Sequence, residues 1–176
     1  MFFVFVFSYF VCVFIKAYLV MDRFIQKVMS NKQICKLISL NVRRIRNSIK
    51  RSSIFTYLKD QNATFYVLQE TYSEPCDESF WENEWGGEIF FSHGTRHSKG
   101  TCILLNPSIK EYKIKNSLSD NSGRIVLINL IYNRMELSLC NIYAPNDHAD
   151  QLRFIEELNN YLIDQSHGIN DTHYRR

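Results

Sequence analysis

The chain has 176 residues, 45% of them hydrophobic and 22% charged, which is enough for one globular domain with its own core. Its net charge of +3 permits contact with an anionic polymer without arguing for one. The cysteines (Cys12, Cys35, Cys76, Cys102 and Cys140) are odd in number and form no C-x-x-C pair, which speaks against a zinc site or a disulfide framework.

From Met1 to Val20 only Ser8 and Lys16 are not apolar. The length approaches a membrane span, with Lys16 near enough to one end to snorkel. There is no basic n-region and no small-residue cleavage site, so a signal peptide fits poorly. Residues 1–21 are therefore read as a signal-anchor or as an extension without a role. Residues 22–34 are polar and mixed, and read as a linker.

Ile34 to Leu40 is a buried-strand run that stops at Asn41. Arg46 to Asp60 carries Ile49, Ile54, Phe55, Tyr57 and Leu58 at rough helical spacing, beside a basic face of Arg43, Arg44, Arg46, Lys50 and Arg51. Phe65 to Leu68 is a second strand, ending in Gln69-Glu70-Thr71. Strand, helix and strand with short joints make a crossover unit, so the two strands should be parallel. Parallel strands bring their carboxyl ends to one sheet edge, where α/β proteins place ligands. Asn41 and Glu70 are then expected to face one crevice.

Strands are predicted over 88–92, 101–106, 109–115, 124–132 and 136–143, joined by turn signals such as Asn106-Pro107 and Ser122-Gly123. Their short joints predict an antiparallel meander. Asp147 or Asp150 can cap a last helix with Leu152, Ile155, Leu158, Tyr161 and Leu162 on one face. The partial domain is set at 35–165, and 166–176 is read as a disordered tail. Cys35, Cys102 and Cys140 sit inside apolar runs, where a free thiol packs as a small hydrophobe, which favours a reducing compartment.

Hydrolysis of a phosphodiester needs a cation to neutralise the phosphate, a base for water, and donors that hold the phosphate. Glu70 at a strand end beside Asn41 meets the need for a sparse oxygen site of the kind Mg2+ accepts. A lone Glu in this position is more often simply solvated, and a strand-end Asn is more often a turn former. The combination carries more. Ser39-Leu40-Asn41, Gln69-Glu70-Thr71, Trp81 and Trp85, Lys99-Gly100, Asp120-x-x-Gly123-Arg124 and Asn141-Ile142-Tyr143-Ala144-Pro145-Asn146 occur in order from about Lys36 to Leu162. Together they resemble the endonuclease/exonuclease/phosphatase superfamily, and within it the apurinic-endonuclease-like nuclease domain of non-LTR (LINE-type) retrotransposons.

The resemblance implies an α/β fold, the N-terminal part of a DNase I-like two-sheet α/β sandwich, with the second sheet largely missing and an apolar face left uncovered. It implies that Glu70 ligates Mg2+, with Mn2+ as a substitute, and that Asn41 supports that metal and orients the phosphate. Tyr143 would contact the scissile phosphate through its hydroxyl, and Asn146 would hold the phosphate backbone. The family continues into Gly-Asp-Phe-Asn and Ser-Asp-His segments that have no counterpart before Arg176, so the site is expected to be catalytically incomplete. Asp171 and His173 are weak substitutes, and His93, His97 and His148 match no family role. DNA is the implied partner, the chain is expected to be a monomer, and an intracellular, nuclear location follows if it acts on DNA. Two alternatives stay open: a non-enzymatic retroelement remnant, and a membrane-tethered phosphatase or phosphodiesterase associated with a membrane through residues 1–20.

Overall fold

Phe65–Gln69 and Thr101–Leu105 are buried at every position, and strands of that kind need cover on both faces. The computed structural model describes residues 2–7, 23–30 and 33–170 and shows where that cover comes from. The chain divides into two compact units, Met1–Tyr143 and Ala144–Arg176.

The first unit runs β1 (Phe2–Phe7), β2 (Arg23–Ser30), β3 (Gln33–Asn41), α1 (Ser48–Asp60), β4 (Phe65–Gln69), a 3-10 turn (Pro75–Asp77), α2 (Glu78–Trp85), β5 (Ile89–Ser92), β6 (Thr101–Leu105), β7 (Tyr112–Ser119), β8 (Ile125–Tyr132) and β9 (Met135–Ile142). The strands form two sheets, one of five in the order β2-β3-β4-β6-β5 and one of four in the order β1-β9-β8-β7. As the crossover predicts, β3 and β4 are parallel, with Asn41 opposite Gln69. Of the predicted meander, β5 and β6 pair antiparallel, and β7 to β9 pair antiparallel in turn. It breaks after β6 because β4 and β5 already occupy both edges of that strand, so β7 has no edge to pair with and opens the second sheet.

The expected uncovered face is therefore absent among the described residues. Strand alternation sends Leu37, Phe65, Val67, Ile103 and Leu105 to one side of the five-stranded sheet, where they meet Val126, Ile128, Leu130, Leu137 and Leu139 of the other sheet. On the opposite side Ile38, Tyr66, Leu68, Cys102 and Leu104 pack with Phe55 and Leu58 of α1 and Trp81 and Trp85 of α2. The two tryptophans lie at i and i+4, and Trp85 also donates its indole N–H to the Leu105 carbonyl at 2.6 Å.

Local signals set the helix ends. Asn47 caps α1 by accepting from the Lys50 N–H at 3.0 Å. Gly86, at φ +81°, closes α2 in the left-handed conformation that glycine adopts freely. Ile49, placed on the apolar stripe of α1 by the sequence, is 77% exposed, and Arg51 takes the inward position instead.

Residues 23–30, expected in a linker, form β2, antiparallel to β3. Residues 2–7 pair parallel with β9. The remainder of the apolar block, Cys12 included, lies outside the described residues, and no described helix is long and apolar enough to cross a membrane. In the second unit α3 spans His148–Asn170, so residues 166–170 continue a helix that the tail was expected to replace. Asp147 caps it by accepting from the Ala149 and Asp150 N–H groups at 2.9 and 3.2 Å. Among its described side chains Phe154 and Leu158 are buried, while Leu152 and Ile155 of the predicted face are exposed, and the side chains of Tyr161 and Leu162 lie outside those described. Asp171 and His173 lie outside the described residues.

Candidate active site

Three of the four residues singled out in the sequence meet at one end of the first unit. Glu70 follows β4, Asn41 ends β3, and Tyr143 follows β9 on the other sheet. Asn41 donates its side-chain N–H to Glu70 Oε1 at 2.9 Å, and the Tyr143 hydroxyl donates to the same oxygen at 3.1 Å. Asn146 belongs to the second unit, where it is exposed.

The backbone around Glu70 is held from both sides. Val42, Arg44 and Ile45 donate to the carbonyls of Gln69, Glu70 and Thr71 at 2.9, 2.7 and 3.2 Å, extending the β3–β4 pairing beyond the strands. From the other side Thr71 and Tyr72 donate to the carbonyls of Gly100 and Lys99, each at 3.0 Å. Glu70 sits at φ 55°, a left-handed conformation that costs a non-glycine residue about 1–3 kcal/mol and persists where the surroundings over-determine it. Gly100, at φ +87°, is required because a Cβ there would lie 2.5 Å from Thr71 Oγ1.

Tyr143 is anchored to the start of β8. Its N–H donates to the Arg124 carbonyl at 2.8 Å, and the Arg124 guanidinium donates back to the Tyr143 carbonyl at 2.9 Å while lying 5.4 Å from the ring centre. Burial and, next, the Glu70 carboxylate push the Tyr143 hydroxyl up to about 12. At neutral pH it is a donor and not a base.

The Asp120-x-x-Gly123-Arg124 segment is a structural clamp. Asp120 Oδ1 accepts from the Arg124 and Ile125 N–H groups at 3.0 and 2.9 Å, and the carboxylate also accepts from Ser92 and Ser122. Burial pushes this carboxyl up, but those hydrogen bonds outweigh it and hold it below the usual aspartate range. Gly123 in turn accepts from the Gly100 N–H at 3.0 Å.

The expected basic face of α1 is partly used up internally. Arg51 is 2% exposed, pairs with Glu84 at 2.6 Å and donates to the carbonyls of Ile45 and Arg46. Arg46 pairs with Glu74 and with Asp77. Arg43 and Arg44, beside the Glu70 backbone, remain exposed. His93 bridges Ser73 and Glu78 at 3.1 and 2.8 Å and stacks on Phe91, a structural role. Cys35, Cys102 and Cys140 are buried, and burial raises all three thiols, Cys35 to about 11 and Cys140 to about 12.

Among the described residues no group of three or more His, Cys, Asp or Glu could hold a metal ion. That excludes a zinc-type cage there but suits Mg2+, which takes one or two carboxylates and fills its octahedron with water and substrate oxygens. Asn41 and Tyr143 both bond Oε1, so the second oxygen of Glu70 makes no hydrogen bond among the described residues. Asn41 Oδ1 already accepts from the Arg43 N–H at 3.1 Å. The donor set, a Glu70 carboxylate bonded by Asn41, is of the sparse kind that Mg2+ accepts.

No family model matches the chain. It is 29% identical over 124 residues to the Transposon TX1 uncharacterized 149 kDa protein of Xenopus laevis, covering 70% of this chain and 9% of that protein. Among solved structures it is similar to an AP endonuclease from Archaeoglobus fulgidus, at a TM-score of 0.51 and 20% identity over 72% of this chain and 50% of that one. It is also similar to humanized D. rerio TDP2 carrying 14 mutations, at a TM-score of 0.50 and 18% identity over 68% of this chain and 56% of that one. The chain thus spans about half the length of these structures and a small part of its transposon relative. The chain therefore has a DNase I-like two-sheet α/β sandwich fold, which it shares with these solved structures, and it is similar in sequence to a transposon protein.

Proposed function

We propose that this domain acts in Mg2+-dependent hydrolysis of DNA phosphodiester bonds, as an endonuclease of retroelement type. The observation that carries the reading is the convergence of Asn41 and Tyr143 on one oxygen of a Glu70 carboxylate held in a left-handed backbone. A solvated strand-end glutamate would need neither the two donors nor the strained backbone.

Each residue then has a task. Glu70 holds the cation through its second oxygen, and Asn41 fixes the carboxylate. The Tyr143 hydroxyl, protonated at neutral pH, donates to a phosphate oxygen when one approaches. Asn146 supplies an amide to the phosphate backbone. Arg43 and Arg44 after β3, Lys99 in the β5–β6 loop and Arg124 beside Tyr143 bracket the site with cations, the usual source of sequence-independent affinity for DNA. When bound, Mg2+ neutralises charge on the phosphate and assists the leaving oxygen.

The chain acts as a monomer on this reading, and a location with access to DNA follows. The membrane-tethered phosphatase reading has no support in the described residues, since residues 2–7 are paired in a sheet. The test is nicking of supercoiled plasmid with Mg2+, with EDTA, and with Glu70→Gln. Nicking that disappears in both controls supports the reading and shows a complete site, which the residues assigned above do not make, since none of them activates the attacking water. DNA binding without Mg2+- and Glu70-dependent nicking would favour the retroelement-remnant reading instead.

A further inference from the structure

The two sheets meet across an apolar core, and apolar contact is non-directional. Side chains such as Val67, Ile103, Ile128 and Leu139 hold the sheets together without fixing how far one slides over the other. Yet the Glu70–Tyr143 pair needs the end of β4 and the end of β9 in one register, within 3.1 Å. Something directional has to set it.

Asn141, fully buried on β9, makes three hydrogen bonds to the opposite sheet. Its Nδ2 donates to the carbonyls of Leu68 and Cys102, each at 2.9 Å, and its Oδ1 accepts from Gln69 Nε2 at 2.7 Å. Gln69 Nε2 also donates to Ser39 Oγ at 3.1 Å, which ties β3 into the same knot. The knot lies one residue from Glu70 and two from Tyr143. We propose that the buried amide pair Gln69–Asn141 is a positioning device, a pin that sets the Glu70 carboxylate against the Tyr143 hydroxyl across the two sheets.

Energetics favours positioning over stability as its role. Gln69 Oε1 and Thr101 Oγ1, on residues facing each other in the β4–β6 ladder, are buried without a hydrogen-bond partner among the described residues. A half-satisfied amide costs free energy that an apolar side chain of the same size would not. A polar network that is poor for stability but fixes register is the best-attested use of buried polar groups.

This rests on reading Glu70 and Tyr143 as one site, but its test needs no nuclease activity. The full chain is labelled with 3-fluorotyrosine, and the Tyr143 resonance is assigned through Tyr143→Phe. In the unaltered protein Glu70→Gln should displace that resonance, because the carboxylate bonds the hydroxyl. In a Gln69→Met background the same change should displace it by less than half as much. A merely structural role for Gln69 would lower the melting temperature and leave the displacement intact, and that outcome overturns the pin. Asn141→Leu is the second variant, with the same expectation. Should neither fold, the side-chain amide protons of Gln69 and Asn141 in the unaltered chain decide it. Protected exchange supports the pin, and exchange at the rate of an exposed amide overturns it. Lost coupling in a chain that never nicks DNA keeps the pin and sinks the nuclease reading, while nicking with the coupling intact in Gln69→Met does the reverse.

Discussion

Arg51→Met separates two roles for an arginine that the sequence places on the basic face of a helix. Arg51 is 2% exposed, its Nε is 2.6 Å from Glu84, and its guanidinium donates to the carbonyls of Ile45 and Arg46 at 3.2 and 3.1 Å. It also lies 4.9 Å from the Phe80 ring centre and 5.3 Å from that of Trp81. Removing one partner of a buried ion pair costs about 3–5 kcal/mol. Glu84 keeps 23% of its side chain in water and can rehydrate, so the lower end, about 3 kcal/mol, applies. The lost cation–π contacts add about 0.5–1 kcal/mol.

A loss of about 3–4 kcal/mol is a large part of the roughly 5–15 kcal/mol that stabilises a typical domain. With a urea m-value of about 1–3 kcal/mol per molar, the unfolding midpoint should fall by about 1–4 M. The double change Arg51→Met with Glu84→Leu should recover most of that, since an apolar pair leaves no charge behind. Were Arg51 a phosphate contact, the result would be opposite. The midpoint would hold, and the slope of log affinity for DNA against log salt would drop by about 0.9. An unchanged midpoint with a reduced slope would refute the structural role, whereas Arg44→Ala, at an exposed position, is the change expected to lower the slope alone.

Two glycines at similar φ should respond differently to alanine. Gly86→Ala, with nothing within 4 Å of the new Cβ, should cost only the left-handed penalty of about 1–2 kcal/mol. Gly100→Ala adds a clash with Thr71 Oγ1 and the Tyr72 backbone and should cost about 1–3 kcal/mol more; equal urea midpoints for the two variants would refute the close approach. Asp120 supplies a pH signature. Its carboxyl is held below the ordinary 3.8, so its stabilisation is complete above that value and is lost as pH falls through the lower folded-state value. Asp120→Asn should therefore be less stable than the unaltered protein at pH 7, by about 1–3 kcal/mol for the charged hydrogen bonds. The gap should close in acid, and parallel stability curves down to pH 2 would count against the clamp.

Much of the five-stranded sheet was legible because its signals are local. The apolar runs at 34–40 and 65–68, the intervening helix and its short joints specify a parallel pair, and parallel pairing brings Asn41 near Glu70 without further information. Tyr143 was legible only through its motif, since nothing local says that a residue 73 positions downstream of Glu70 returns to it. The strands β7 to β9 and their antiparallel order were legible too, but not that they form a second sheet. Turn signals between 106 and 135 mark where strands end but carry no record of which edges are already taken, and occupancy of both edges of β6 is what diverts β7. The strand at 23–30 was missed because it is an edge strand, paired along one side only, and its mixed polarity reads as a linker.

The same distinction separates the residues assigned a role from those that were not. Gln69 and Asn141 stood inside the motifs that carried the resemblance, yet only their neighbours Glu70 and Tyr143 have side chains whose chemistry suggests a task. What marks the two amides is physical: each is a fully buried polar group beside buried apolar residues, Gln69 after Phe65 to Leu68 and Asn141 between Cys140 and Ile142. A polar side chain in such a position is costly unless it meets another from a different element, so two of them predict a contact. Here that contact joins the two sheets, and the groups that would touch a phosphate lie one and two residues away. Function at this sheet edge then depends on residues that need not touch substrate, and a search for catalytic side chains alone would pass over the pair that brings them together.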